Sequence, residues 1–408
     1  MPARHCAIRV CLPVCQLVCL LVCLAAGLLA QDGIPQYMNA GDAAYLKGDY
    51  EAARQSFTLA WEQAQQTPMD SPLRYDILKR LTSVRAAAGE FADADNWLQQ
   101  AVTWRENTLG QKDPKIPDDL LISVDLCRGM KDFDRALVIL RRVQGMHVEM
   151  HTANSREVAD DFSRAAQLYG EQKKPENAIN ALDTAIAIRT KLAGPLDPSL
   201  IADLDRLGEY QTMQRDYEAA ESAFRHVLVI RETLYGKVHA DLISTVDGLA
   251  YALFGQKKYE AAEPVYQRLL ALWETSVGKD HPMVAVVLGK IAVFEAAQKK
   301  YPEVHDALER STAIRAYFHA LGFSQQATQA ITEGHGIQAM EFYRRGIALL
   351  DPPNPIYDEL RAQFEDILKT LEGPQGKIKP TPRKAPPKAA SQPAATQPAA
   401  PPKKNDRL

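Results

Sequence analysis

One short pattern recurs along this chain at a spacing that restricts its fold severely. An aromatic residue is followed three positions on by Ala, and four further on by a large apolar residue. The copies are Tyr50/Ala53/Phe57, Phe91/Ala94/Leu98, Phe133/Ala136/Leu140, Pro175/Ala178/Leu182, Tyr217/Ala220/Phe224, Tyr259/Ala262/Tyr266 and Tyr301/Val304/Leu308. The first step is 41 residues and the next five are 42. An eighth, worn copy begins near Ile337, with Met340 and Arg344, after a shorter step of 36. Units repeated at such a period bury their apolar faces only against their neighbours, so a chain of 408 residues need not divide into globular domains.

Each unit reads as two helices. In Tyr217–Leu234 the apolar residues Tyr217, Ala220, Phe224, Val227, Leu228 and Ile230 fall at helical spacing, and in Pro198–Met213 so do Ile201, Leu204, Leu207 and Tyr210. Ala at the fourth position lets two helices approach closely. Between units, Gly110, Gly194, Gly236 and Gly278 sit just past a helix, where a left-handed residue closes it. Three residues on come Asp113-Pro114, Asp197-Pro198, His239-Ala240 and His281-Pro282. Asp caps the next helix there, and Pro suits a first turn whose N–H is unused. A last amphipathic stretch, about Pro355–Leu371, carries Tyr357, Leu360, Phe364, Ile367, Leu368 and Leu371 on one face, as a cap over the final apolar surface requires.

Leu207-Gly208 followed by Ala220 and Phe224 resembles the tetratricopeptide pattern, and the Gly-x-x-His/Asp-Pro joints with their 42-residue period are similar to the longer variant of the kinesin light chain. The resemblance implies an all-α, right-handed superhelical solenoid of antiparallel helix pairs. It would span residues 36–350 with seven to eight repeats, closed by a capping helix at 354–372. It also implies that the first helix of each pair lines a concave groove that receives a peptide or a helix of a protein partner. One groove position precedes the Leu of the Leu-Gly pair, and in kinesin light chains it is commonly an Asn that grips the ligand backbone. Here that position reads Asn39, Arg80, Ile122, Arg164, Arg206, Gly248 and Lys290. Only the first copy keeps Asn. The four basic residues suggest a positive stripe for acidic segments or a C-terminal carboxylate, which Arg engages at two points. The competing expectation is that each pairs with a nearby acid such as Asp205 or Asp161 and is ordinary solvated surface.

The ends differ from the body. Residues 1–30 hold Arg4, Arg9 and a long apolar run from Val10, the pattern of an export signal. An uncut N-terminal membrane anchor and, last, a lipoprotein signal around Cys23 are the alternatives, and all three place the body beyond the cytoplasmic membrane: periplasmic or extracellular. Five of the six cysteines, Cys6, Cys11, Cys15, Cys19 and Cys23, lie in this segment as small apolar residues, which leaves Cys127 without a partner for a disulfide in the body. Residues 373–408 contain nine Pro and eight Lys or Arg against one Asp, and are expected to be a disordered basic spacer, or a tether to an anionic membrane or cell wall. With the net charge at -3, the body between these ends is acidic, which is not the footprint of a nucleic-acid-binding domain.

No nucleophile elbow, phosphate loop, dinucleotide fold or Cys-x-x-Cys pair occurs. His147-Val148-Glu149-Met150-His151 places two His four apart, but Val148 stands where a metalloprotease has Glu and no third ligand is identifiable. A solvated pair near a helix end is the reading adopted, with metal-dependent hydrolysis as the enzymatic alternative. The expectation is a non-catalytic, exported scaffold without cofactor or metal, binding a protein or peptide partner. Self-assembly or envelope tethering is the structural alternative.

Overall fold

The computed structural model describes residues 33–372, and among them all regular structure is helical. Helix α1 occupies residues 33–46. It is followed by α2 (Tyr50–Ala64), α3 (Pro72–Ala87), α4 (Phe91–Leu109), α5 (Ile116–Gly129), α6 (Phe133–Met150), α7 (Arg156–Glu171) and α8 (Pro175–Ala193). A 3-10 turn, Pro198–Leu200, leads into α9 (Ile201–Met213). Then come α10 (Tyr217–Tyr235), α11 (Ile243–Gly255), α12 (Tyr259–Val277), α13 (Pro282–Ala297), α14 (Tyr301–Thr332), α15 (Gly336–Leu349) and α16 (Asp358–Leu371). The chain forms two compact units, and the division falls after Asp203, within α9. In each unit successive helices pack on one another as a solenoid of helix pairs. The expected signal or anchor over 1–30 and the basic tail over 373–408 lie outside the described residues. No described helix is long and apolar enough to cross a membrane.

In six of the seven copies the recurring Ala and apolar positions are core, while in the seventh Leu308 is exposed. Ala53, Ala94, Ala136, Ala178, Ala220 and Ala262 are all fully buried, and Phe57, Leu98, Leu140, Leu182, Phe224 and Tyr266 are buried beside them. In the second unit Phe224 explains two glycines at once. A Cβ on Gly208 would come within 2.7 Å of its ring, and one on Gly248 within 2.6 Å.

Two kinds of turn alternate. From second helix to first, Gly110, Gly194, Gly236 and Gly278 have φ near +80 to +94° with ψ of 156 to 178°. This is not the left-handed helical conformation expected from the sequence. It is the extended positive-φ region that only glycine enters readily. Asp113, Asp197, His239 and His281 then accept from the N–H two residues on, at 2.9–3.2 Å. From first helix to second, the turn residue is left-handed at Gly48, Gly89, Lys131, Lys173, Arg215, Lys257, Lys299 and Gly334, with φ of 60–62° at the five non-glycines. At each one the next N–H reaches back five residues, as in Asp216 N–H to Gln211 O at 2.9 Å, closing a Schellman motif.

A second periodic feature, not anticipated from the sequence, joins one pair to the next. Near the end of α4, Arg105 donates from Nε to Oδ2 of Asp119 on α5 (3.1 Å). One repeat later His147 Nδ1 meets Asp161 Oδ2 (2.8 Å), and one later again Arg189 Nε meets Asp203 Oδ2 (2.9 Å). In every case the partners are fourteen residues apart. All three carboxylates are buried. Asp119 also accepts from the Tyr75 hydroxyl and Lys79, and Arg105 lies 4.3 Å over the Tyr75 ring, whose burial pushes that phenol up to about 12. Burial pushes the Asp161 carboxyl up, and the His147 hydrogen bond opposes it. In the second unit Arg231 takes the same register. It donates to Thr245, where an Asp would stand, and finds its charge in Asp205 (2.7 Å). At the next step both members are apolar: Trp273 and Val287 pack in one cluster.

The last units depart from the pattern for a visible reason. Ala320 stands at the register of Gly278, and Phe323-Ser324 at that of His281-Pro282. With neither breaker nor cap, α14 runs on for 32 residues. Its second half packs with α15 and α16 around Tyr343, Leu350, Tyr357, Leu360 and Phe364.

Two outcomes follow for stability, both read by urea unfolding. Asp203→Asn leaves Arg189 buried with only the half-exposed Asp160 and should cost about 3 kcal/mol, while replacing Arg189 and Asp203 together by Met and Leu should cost far less. Gly236→Ala should cost about 1–3 kcal/mol because its conformation is closed to a Cβ, whereas Lys257→Gly, at a left-handed turn, should stabilise by up to about 1 kcal/mol.

Candidate partner-binding face

The seven positions of the expected groove ladder all fall on first helices, but they are not equivalent. Asn39 is exposed on α1, and Ile122 is exposed on α5. Gly248 on α11 is not an opening for a ligand, because its α-carbon is pressed against the Phe224 ring. Three of the four basic residues are engaged by an acid of the preceding repeat. Arg80 Nε and Nη2 donate to the two oxygens of Asp42 (2.9 and 3.3 Å), Arg164 lies 3.7 Å from Asp125, and Lys290 Nζ is 2.6 Å from both oxygens of Asp247. Arg206 forms no ion pair among the described residues.

The acids named as neighbours in the sequence reading are occupied elsewhere: Asp161 by His147 and Asp205 by Arg231. Pairing does occur, but with partners 38 to 43 residues away on the adjacent first helix. These pairs are half exposed, so each is a weak and exchangeable contact.

The sequence reading missed the apolar part of this face. In the second unit Met213, Tyr251, Val286 and Val293 are exposed on α9, α11 and α13, at 66, 50, 41 and 62%. Tyr251 and Val293 occupy one register 42 residues apart, a spacing visible in the sequence itself. Arg206 and Lys290 share these helices. The second unit therefore offers cations and bare apolar side chains together on its first helices.

The His147/His151 pair is not the solvated pair expected. His147 is buried and committed to Asp161, so its Nδ1 is not offered to a metal jointly with His151. Among the described residues, His305, Asp306 and Glu309 are the group close enough to share a cation, and all three are exposed.

With this geometry in place, residues 159–233 and 242–316 match the family model of the tetratricopeptide repeat. These segments are tetratricopeptide repeats. Among solved structures, the C-terminal part of a tetratricopeptide repeat-containing protein from Cytophaga hutchinsonii is similar at 14% identity and a TM-score of 0.50, covering 68% of this chain and 95% of that one. BtubC (BKLC) from P. vanneervenii is 20% identical with a TM-score of 0.45, over 55% of this chain and 91% of its own. A putative kinesin light chain from Podosopora anserina, with nearly identical repeats, is 18% identical with a TM-score of 0.44, over 49% of this chain and 96% of its own. No curated protein matches the chain. A solenoid of such repeats suggests a scaffold for protein–protein interaction.

Because the cations of this face are paired only at the surface, Arg80→Ala and Lys290→Ala should each lower unfolding stability by less than about 1 kcal/mol in urea titration. That leaves the face open to mutational test in a folded protein.

Proposed function

We propose that this chain is an exported, non-catalytic scaffold whose first-helix face holds an extended segment of a protein partner carrying both acidic and apolar residues. The observation that carries the reading is the second unit's combination of unpaired Arg206 and surface-paired Lys290 with exposed Tyr251, Val286 and Val293. Exposed apolar side chains grouped on one face mark interaction surfaces in soluble proteins. An acidic ligand group is met by Arg206 directly and at Lys290 by displacing Asp247, an exchange of one surface ion pair for another that costs little. Arg80 and Arg164, with Asn39, provide the corresponding positions of the first unit. The non-catalytic reading is supported by the absence of catalytic motifs in the sequence and by His147 being built into the packing. Export rests on the charged and apolar pattern of residues 1–30, and the basic stretch from 373 adds a contact to anionic envelope polymer or lipid.

The test is affinity capture from envelope extract with the full chain, a double variant Arg206→Glu/Lys290→Glu, Val293→Asp, and Val229→Asp as a control exposed on a second helix. The expected result is one partner held by wild type and by Val229→Asp and reduced roughly tenfold by the other two, as loss of a central anchor does. Loss with Val229→Asp alone would move binding to the second helices and end this reading. Cell fractionation tests export separately: a protein found only in the cytosol contradicts it.

A further inference from the structure

We infer that the cavity between α2, the α2–α3 loop, α3 and α4 is a binding site for a neutral oligosaccharide. The cavity measures about 740 Å3, room for a small oligosaccharide. It is lined by α2, the α2–α3 loop, the start of α3 and α4, and none of the groove-ladder residues takes part.

One wall is a stripe along α4: Asn96, Gln100, Thr103 and Asn107. These follow helical spacing and are all exposed. The side chains of Asn96, Thr103 and Asn107 make no hydrogen bond among the described residues, so their donors and acceptors are available. The stripe belongs to this helix alone. The same register reads Val138, Arg142, Gly145 and Glu149 on α6, and Pro264, Arg268, Ala271 and Thr275 on α12.

Trp61 and Trp104 provide the aromatic surface. Each indole is held in place before any ligand arrives. Trp61 meets Trp97 edge-on at 5.8 Å. Trp104 donates from Nε1 to Met69 O (2.8 Å) and lies 5.6 Å from the Tyr75 ring. Fixed aromatic platforms spare the ligand an ordering cost.

Charge decides the class of ligand. Arg74 is the one cation of the lining, and its guanidinium is spent on the carbonyls of Ala64, Gln65 and Thr67 (3.0, 2.7 and 2.7 Å). Those bonds orient the Arg74 guanidinium without cancelling its charge, and Asp70 balances it, so the lining has no net charge with which to hold an anion or a cation. A pyranose suits what is left: an apolar C–H face to lie on an indole, and hydroxyls that both donate and accept, as carboxamides do. An extended proline-rich peptide offers carbonyl acceptors but few donors, and would leave the carboxamide oxygens unmatched.

The experiment titrates the full chain with maltotriose, cellotriose and triacetylchitotriose, following tryptophan fluorescence and calorimetric heat. At least one sugar should saturate with a Kd between about 10 μM and 1 mM, and Asn96→Ala/Gln100→Ala should weaken it roughly tenfold with no change in Tm. Trp61→Ala should weaken binding likewise but also lower Tm, because Trp61 packs against Trp97 and the core, so the exposed carboxamide pair is the deciding variant. The inference is overturned if no sugar saturates at about 10 mM, or if the carboxamide variant binds as tightly as wild type. It is also overturned if the uncharged peptide of residues 389–402, and not a sugar, is the ligand whose binding these substitutions weaken.

Discussion

A carboxylate placed between two packed helix pairs has to meet a cation, because burying it alone costs several kcal/mol (roughly 3–5 by analogy with broken buried pairs). Asp119, Asp161 and Asp203 impose that demand at successive joints, and Arg105, His147 and Arg189 answer it from fourteen residues back. A slip of one helical turn at any of these joints would strand two buried groups, so register is set by charge while cohesion comes from the alanines and aromatics. Where the demand is dropped, both partners change: Trp273 and Val287 replace the pair with apolar contact.

The fold was largely legible because it is written in local, repeated signals. Ala94, Gly236, His281 and Tyr217 each act within a few residues of themselves, and the 42-residue step multiplies every such signal. The buried ladder carried the same period and could have been found by stepping from Arg105 to His147, Arg189 and Arg231. It is harder to see because each ion pair spans two repeats, whereas the core pattern lies within one. The fusion in α14 was legible too, in Ala320 standing where glycine recurs. The candidate face was legible only in position. Which acid neutralises Arg80 or Lys290 depends on the neighbouring first helix about one repeat away, and nearness in sequence pointed to Asp161 and Asp205, which the interior had already claimed.

The surfaces differ in how much they are free to vary. At the groove register Asn39, Ile122, Arg164 and Lys290 meet only solvent and weak ion pairs, so they can vary there without disturbing the stack. The interior tolerates no such range. The same separation applies on α4, where Asp95 and Arg105 face inward to structural partners while Asn96 and Asn107, one or two residues away, are uncommitted. A repeat scaffold can thus acquire recognition chemistry on one helix without changing its neighbours.

The long helix α14 has a mechanical consequence. Pairs joined by a glycine turn can peel away one at a time, each surrendering only its contact with the next. Through α14 the seventh pair is continuous with the helix that α15 and α16 cover, so no glycine joint near residue 320 separates them. The C-terminal quarter of the described chain therefore shares one helix and one apolar cluster, which favours opening as one block. Helices that would each be the weak end of an open stack become its anchor.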